Sequence, residues 1–145
     1  MRQYLVVAHQ TLEAAELLEV MRERFNENPC LFHLVVPPTH DGQGLSWTEG
    51  RARTAAAHNL DNALLRFLAE GLPVSGEVGD ANPVYAVLDV LRRDGPKAFD
   101  GVIVSTLPHA MSRWIRLDAP NRIRRNTTLP VTHVVSRAGA TANSV

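Results

Sequence analysis

The sequence predicts an α/β domain with a parallel sheet and helices on both faces. Short apolar runs rich in β-branched residues recur along the chain, as strands buried on both faces require. Helical patterns lie between them, and parallel strands need such crossovers. The 145 residues are 45% hydrophobic, enough for one packed core. No repeat and no second unit is evident, so residues 1–136 are expected to form one domain and 137–145 a flexible tail.

The first strand is "QYLVVAH" (3–9). Thr11 is placed to cap the helix that follows, in which Leu12, Ala15, Leu18, Met21 and Phe25 recur at helical spacing. "NENP" (26–29) breaks that helix, and "CLFHLVV" (30–36) is the second strand. "PPTHDGQGLSW" (37–47) is a long connection. It reads as a solvated connector or, from its length and its place over the strand ends, as a lid, and Asp41, Gly42 and Gly44 suit a mobile segment on either reading. Thr48 opens the longest helix, about 49–70, with Ala52, Ala55, Ala56, Ala63, Leu64, Phe67 and Leu68 as its apolar stripe. Gly71 and Pro73 end it. "VSGEV" (74–78) is the third strand. In "GDANP" (79–83), Asp80 or Asn82 caps a helix whose core positions are Val84, Val87, Leu88 and Leu91. "GVIVST" (101–106), a helical stretch near 120–125 and "PVTHVV" (130–135) complete the alternation.

Lys plus Arg and Asp plus Glu balance at 15 each, so no global field draws the chain to nucleic acid or membrane. "RIRR" (122–125) is short and reads as a solvated face. No apolar stretch reaches the ~18 residues of a membrane span, and a cytoplasmic location is expected. Cys30 lies in an apolar run and reads as a buried thiol. The six histidines show no close ligand spacing, so no metal is expected.

Open parallel sheets hold ligands beyond the carboxyl ends of their strands, where the winding reverses. That rule selects Ala8, His9 and Gln10, then Val36 and Pro37, then Gly79 and Asp80, and then Ser105, Thr106 and His109. Arg113 and Arg116 follow closely, and with Ser105, Thr106 and the histidines they form an anion-receptive cluster. A solvated role, or pairing with Asp118, is the alternative for each arginine.

The element order, "VGDANPVYAVLDV" and "SRWIRLDAPNRIRRNTTLPVTHVV" together resemble the universal stress proteins of the A-like superfamily, over almost the whole chain. The resemblance implies a flavodoxin-like (adenine-nucleotide-binding hydrolase-like) sandwich of five parallel strands in the order 3-2-1-4-5. It also implies a homodimer through the last strand, Val131 to Val135. Some members bind ATP through G-x2-G-x9-G-[ST] after the fourth strand. On this chain those glycines fall at Val104, Leu107 and Leu117, and the hydroxyl at Asp118. The family's aspartate near the end of the first strand is replaced around His9. Leu107 and Pro108 remove the backbone freedom and a donor that a phosphate nest requires, and an inward Asp118 would repel a triphosphate.

The expected function is therefore a non-enzymatic stress-response or regulatory module whose ATP site is lost, with no cofactor and with ATP and AMP disfavoured. The alternative is nucleotide or small-anion binding through a non-standard loop, with Ala8, His9, Val36, Gly79, Asp80, Ser105, Thr106, His109 and Arg113 as the pocket. A further alternative is a small hydrolase with Ser105 as nucleophile, His9 or His109 as base and Asp118 as orienter.

Overall fold

The computed structural model describes residues 1–38, 49–109 and 111–137. Residues 39–47 of the connection read as a lid, the Thr48 cap and nearly all of the 137–145 tail fall outside them. Five strands, β1 (Arg2–Val7), β2 (Cys30–Val36), β3 (Val74–Val78), β4 (Gly101–Thr106) and β5 (Val131–Val135), form one parallel sheet in the order β3-β2-β1-β4-β5. Helices α1 (Ala15–Glu27) and α2 (Glu49–Ala69) cover one face. Helices α3 (Pro83–Asp94) and α5 (Ala119–Arg125) cover the other, and a single turn, α4 (Arg113–Arg116), precedes α5.

Strand alternation divides the core in two. Val6, Phe32, Leu34, Val36 and Ile103 pack with Leu17, Met21, Ala56, Leu60 and Phe67. Leu5, Val7, Val35, Val102 and Val104 pack with Val84, Val87, Val90 and Ile123 on the opposite side. Both faces of the central strands are thus apolar, which is why those strands read as continuous hydrophobic runs.

Several local expectations change. The first strand stops at Val7, and Leu12 N–H to His9 and Ala14 N–H to Thr11 close turns that delay α1 to Ala15. Thr11 therefore caps nothing: the residue before α1 is Ala14, with no side-chain cap. The buried face runs through Leu12, Ala14, Leu17 and Met21, while Ala15 is exposed. Arg66 of α2 ties these turns down by donating to the Leu12 and Glu13 carbonyls. Within α2 the stripe is Ala52, Ala56, Leu60, Ala63 and Phe67, and Leu68 is 54% exposed. Gly71 ends the helix at φ +82°, with Leu72 N–H returning to Phe67 and Gly71 N–H to Leu68. That paired closure requires the left-handed conformation that glycine adopts freely.

Candidate functional site

Connections from β1 lead to β2 on one side and from β4 to β5 on the other, so the winding reverses between β1 and β4. A cleft of about 590 Å³ opens there, at the carboxyl ends of the strands. Its floor is Ser105 and Thr106 at the end of β4, with His9, Gln10 and Thr11 beyond β1. One wall is Ala81, Asn82 and Pro83 at the start of α3. The other is Leu107, Met111, Ser112, Arg113, Trp114, Arg116 and Leu117.

Of the expected pocket residues, His9, Ser105, Thr106 and Arg113 meet in this cleft, and Arg116 joins them. Ala8 and Val36 are fully buried beneath it. Gly79 stands where α3 crosses β2: a Cβ there would lie 2.6 Å from Val35 Cγ2 and 3.1 Å from Ala86 Cβ, so its role is close packing. Asp80 accepts from the Asn82 N–H at 2.8 Å and shapes the turn before α3. His109 is exposed and outside the lining. Thr11, Asn82, Ser112 and Trp114 line the cleft without having been expected to. Asn82 and Ser112 carry a readable signal as caps, accepting from Val84 N–H at 2.9 Å and Ile115 N–H at 3.1 Å.

Each buried polar group on the floor has a protein partner. Asn59 of α2 places its amide nitrogen 3.1 Å from His9 Nε2, and the ring also bonds the Pro37 carbonyl. Burial lowers the His9 pKa, with the Pro37 bond opposing it weakly, so the ring is neutral and ties α2 to the ends of β1 and β2. Ser105 Oγ lies 2.5 Å from Thr11 Oγ1, and Thr106 Oγ1 lies 2.8 Å from His133 Nε2. Ser105 therefore faces Thr11 in place of a histidine base. Asp118, the third member of the hydrolase arrangement, turns away from the cleft toward Asn121 at 3.0 Å and Arg125 at 3.5 Å. It occupies the left-handed region at φ +59°. The repulsion that an inward carboxylate would impose on an anion is absent.

The arginines differ from the floor. Arg113 and Arg116 line the cleft, and neither guanidinium has a hydrogen-bond or ion-pair partner among the described residues. Ser112 organises the turn that carries them, and Trp114 between them is half-buried against the α3-side core. The start of α3 offers an anion little by contrast. Pro83 has no N–H, Val84 N–H is taken by the Asn82 side chain and Ala86 N–H by the Asn82 carbonyl.

Among solved structures, the universal stress protein from Archaeoglobus fulgidus matches over 92% of this chain and 93% of its own, with a TM-score of 0.60 and 11% identity. A universal stress protein in complex with cAMP matches over 92% and 96%, with a TM-score of 0.57 and 12% identity. The chain has the universal stress protein fold. No protein-family model and no curated protein matches the sequence. The strand order that the resemblance implied is the order observed. Within this fold, Val104 is buried in β4, Leu107 and Leu117 line the cleft, and no residue from 101 to 118 other than Gly101 is glycine. Among the described residues no helix is long and apolar enough to cross a membrane, and no cluster of three metal-ligating side chains occurs.

Proposed function

We propose that the cleft is a non-catalytic receptor for a small ligand bearing one compact anionic group, in a module that has lost the backbone cradle for a triphosphate. The observation that carries this reading is the pair Arg113 and Arg116, facing a cleft of about 590 Å³ with no protein acceptor among the described residues. A guanidinium fork matches a phosphate or carboxylate bidentately and replaces the donors that a glycine nest would supply. Leu107, Leu117 and Trp114 give the ligand's body an apolar wall, and the cleft falls in the usual size range for small-ligand sites. The neighbour in complex with cAMP supports trying nucleoside monophosphates first. The neutral His9, bonded to Asn59 and Pro37, and the Ser105–Thr11 pair support binding without turnover.

Isothermal titration with AMP, cAMP, ADP and ATP tests the proposal. A monophosphate should bind at least as tightly as ATP. Arg113→Gln with Arg116→Gln should weaken it by about tenfold or more, ~1.4 kcal/mol. ATP binding tightest, or no binding by any of the four, would overturn it. As a stress-response or regulatory module the protein would act as a homodimer through β5, a reading supported by the exposure of Val135 on that edge strand.

A further inference from the structure

On the α3 side of the sheet, outside the cleft, β2, β3 and α3 bring together His33, Ser75, Glu77 and Arg93. His33 and Ser75 are register partners across β2 and β3. Glu77 lies two residues beyond Ser75, on the same face. His33 Nδ1 is 2.7 Å from Ser75 Oγ, and Nε2 is 2.6 Å from Glu77 Oε2. Arg93 grips the Glu77 carboxylate with two bonds of 2.8 and 2.6 Å. That clamp is the main reason the Glu77 carboxyl is held down at about 2, with His33 assisting.

For a neutral His33 ring, donor counting gives the direction of the chain. An ionised carboxylate only accepts, so His33 Nε2 carries the proton it donates to Glu77. In the neutral ring Nδ1 is then a bare acceptor, and the Ser75 hydroxyl donates to it. Carboxylate, imidazole and exposed hydroxyl thus stand in the order orienter, base, nucleophile.

The sheet edge supplies one more donor. Phe32 N–H bonds Pro73 O, and Gly79 N–H bonds Val36 O, so the odd-numbered amides of β3 face β2. β2 is the only strand paired with β3 among the described residues. Gly76 N–H therefore points to the open edge, immediately after Ser75. The amide following a nucleophile is a recurrent source of oxyanion stabilisation.

We propose that Ser75 is a nucleophilic serine, with His33 as its base and Glu77 as a positioning residue, that accepts an acyl group from a small activated ester or thioester. Ser75 Oγ bonds the carbonyl carbon while its proton passes to His33 Nδ1. The carbonyl carbon's bond to the leaving oxygen or sulfur breaks, and His33 returns the proton to that atom. Serine plus ester gives O-acylserine plus alcohol, and no cofactor or oxidant enters. The site is independent of the cleft and of its ligand.

The test is incubation of the full chain with p-nitrophenyl acetate, following nitrophenolate release and mapping acetyl groups by peptide mass spectrometry. Acetylation should appear on Ser75 and vanish from that position in Ser75→Ala. Its rate should fall about tenfold or more in His33→Gln. Glu77→Gln should slow it as well, and Glu77→Asp, which keeps a carboxylate, should recover part of the loss. Circular dichroism melts establish that each variant is folded. Should His33→Gln fail to fold, the wild-type mapping and the Glu77 pair still decide. No acetyl group on Ser75, or a rate that the folded His33 and Glu77 variants leave unchanged, would overturn the proposal.

Discussion

Burial lowers the pKa of His9 because charging the ring would strip it of water, and the Pro37 bond opposes this only weakly. His133 is lowered for the same reason, with Arg124 adding to it. The unfolded chain binds protons at these positions near the ordinary histidine value, while the folded chain resists them to lower pH. Their contribution is therefore fully present above ~6.5 and declines as pH falls toward the folded values. Thermal melts should show a lower Tm at pH 5.5 than at pH 7.5, and the slope should flatten in His9→Gln with His133→Gln. His9→Ala should also cost about 1–3 kcal/mol near pH 7.5, because the Asn59 and Pro37 groups lose their buried partner. Glu77 titrates in a more acid window. Its carboxyl is depressed, so its stabilisation is present above ~4.5 and is lost as pH falls toward about 2. Denaturant melts of Glu77→Gln should show a deficit of about 1 kcal/mol at pH 7 that closes as pH falls through that window.

At the scale of elements, the junction between α4 and α5 depends on Asp118 adopting φ +59°. Aspartate tolerates that region better than most side chains, and only glycine adopts it freely. Asp118→Ala should cost about 1 kcal/mol. Asp118→Gly should stay within about 0.5 kcal/mol of the parent, its relief offsetting the lost Arg125 and Asn121 contacts, and chemical denaturation measures both. Equal losses in the two variants would mean that the side-chain contacts, and not the backbone, hold the junction. The elements that read correctly from sequence are those with a strong local cause. The runs of β2, β3 and β4 are bounded by turn residues, Gly71 closes α2, and Asn82 with Pro83 opens α3. The start of α1 did not read, because turns held by Arg66 from another helix displaced it. The one-turn α4 is too short for any periodicity to show. The site divided the same way. Ser105, Thr106, Arg113 and Arg116 followed from strand-end position and charge. The partners that decide their chemistry, Thr11 for Ser105 and Asn59 for His9, lie 94 and 50 residues away in sequence, where no local spacing encodes them. Whether a charge such as Asp118 faces into or out of the cleft is likewise set by a backbone angle, not by residue type.

The whole sheet has two edges, and they are chemically unlike. On β3, the α3-side face carries Ser75 and Glu77, clasped by His33 and Arg93, and such polar edges discourage pairing with another chain. The other edge, β5, carries Val131, Val134 and Val135, of which Val134 is buried against the α1-side core and Val135 is 46% exposed. One ladder of its backbone groups pairs with β4, and no further strand pairs with it among the described residues. A second copy related by a two-fold axis would pair with that edge and cover Val135. The formal net charge of zero sets up no self-repulsion against association. Light scattering at micromolar concentration should therefore give twice the 16.0 kDa chain mass. Val135→Lys, which puts a charge on the exposed edge without entering the core, should return the monomer mass with little change in Tm. A monomeric wild type would remove the β5 pairing, and a dimer indifferent to Val135→Lys would move the interface to another surface.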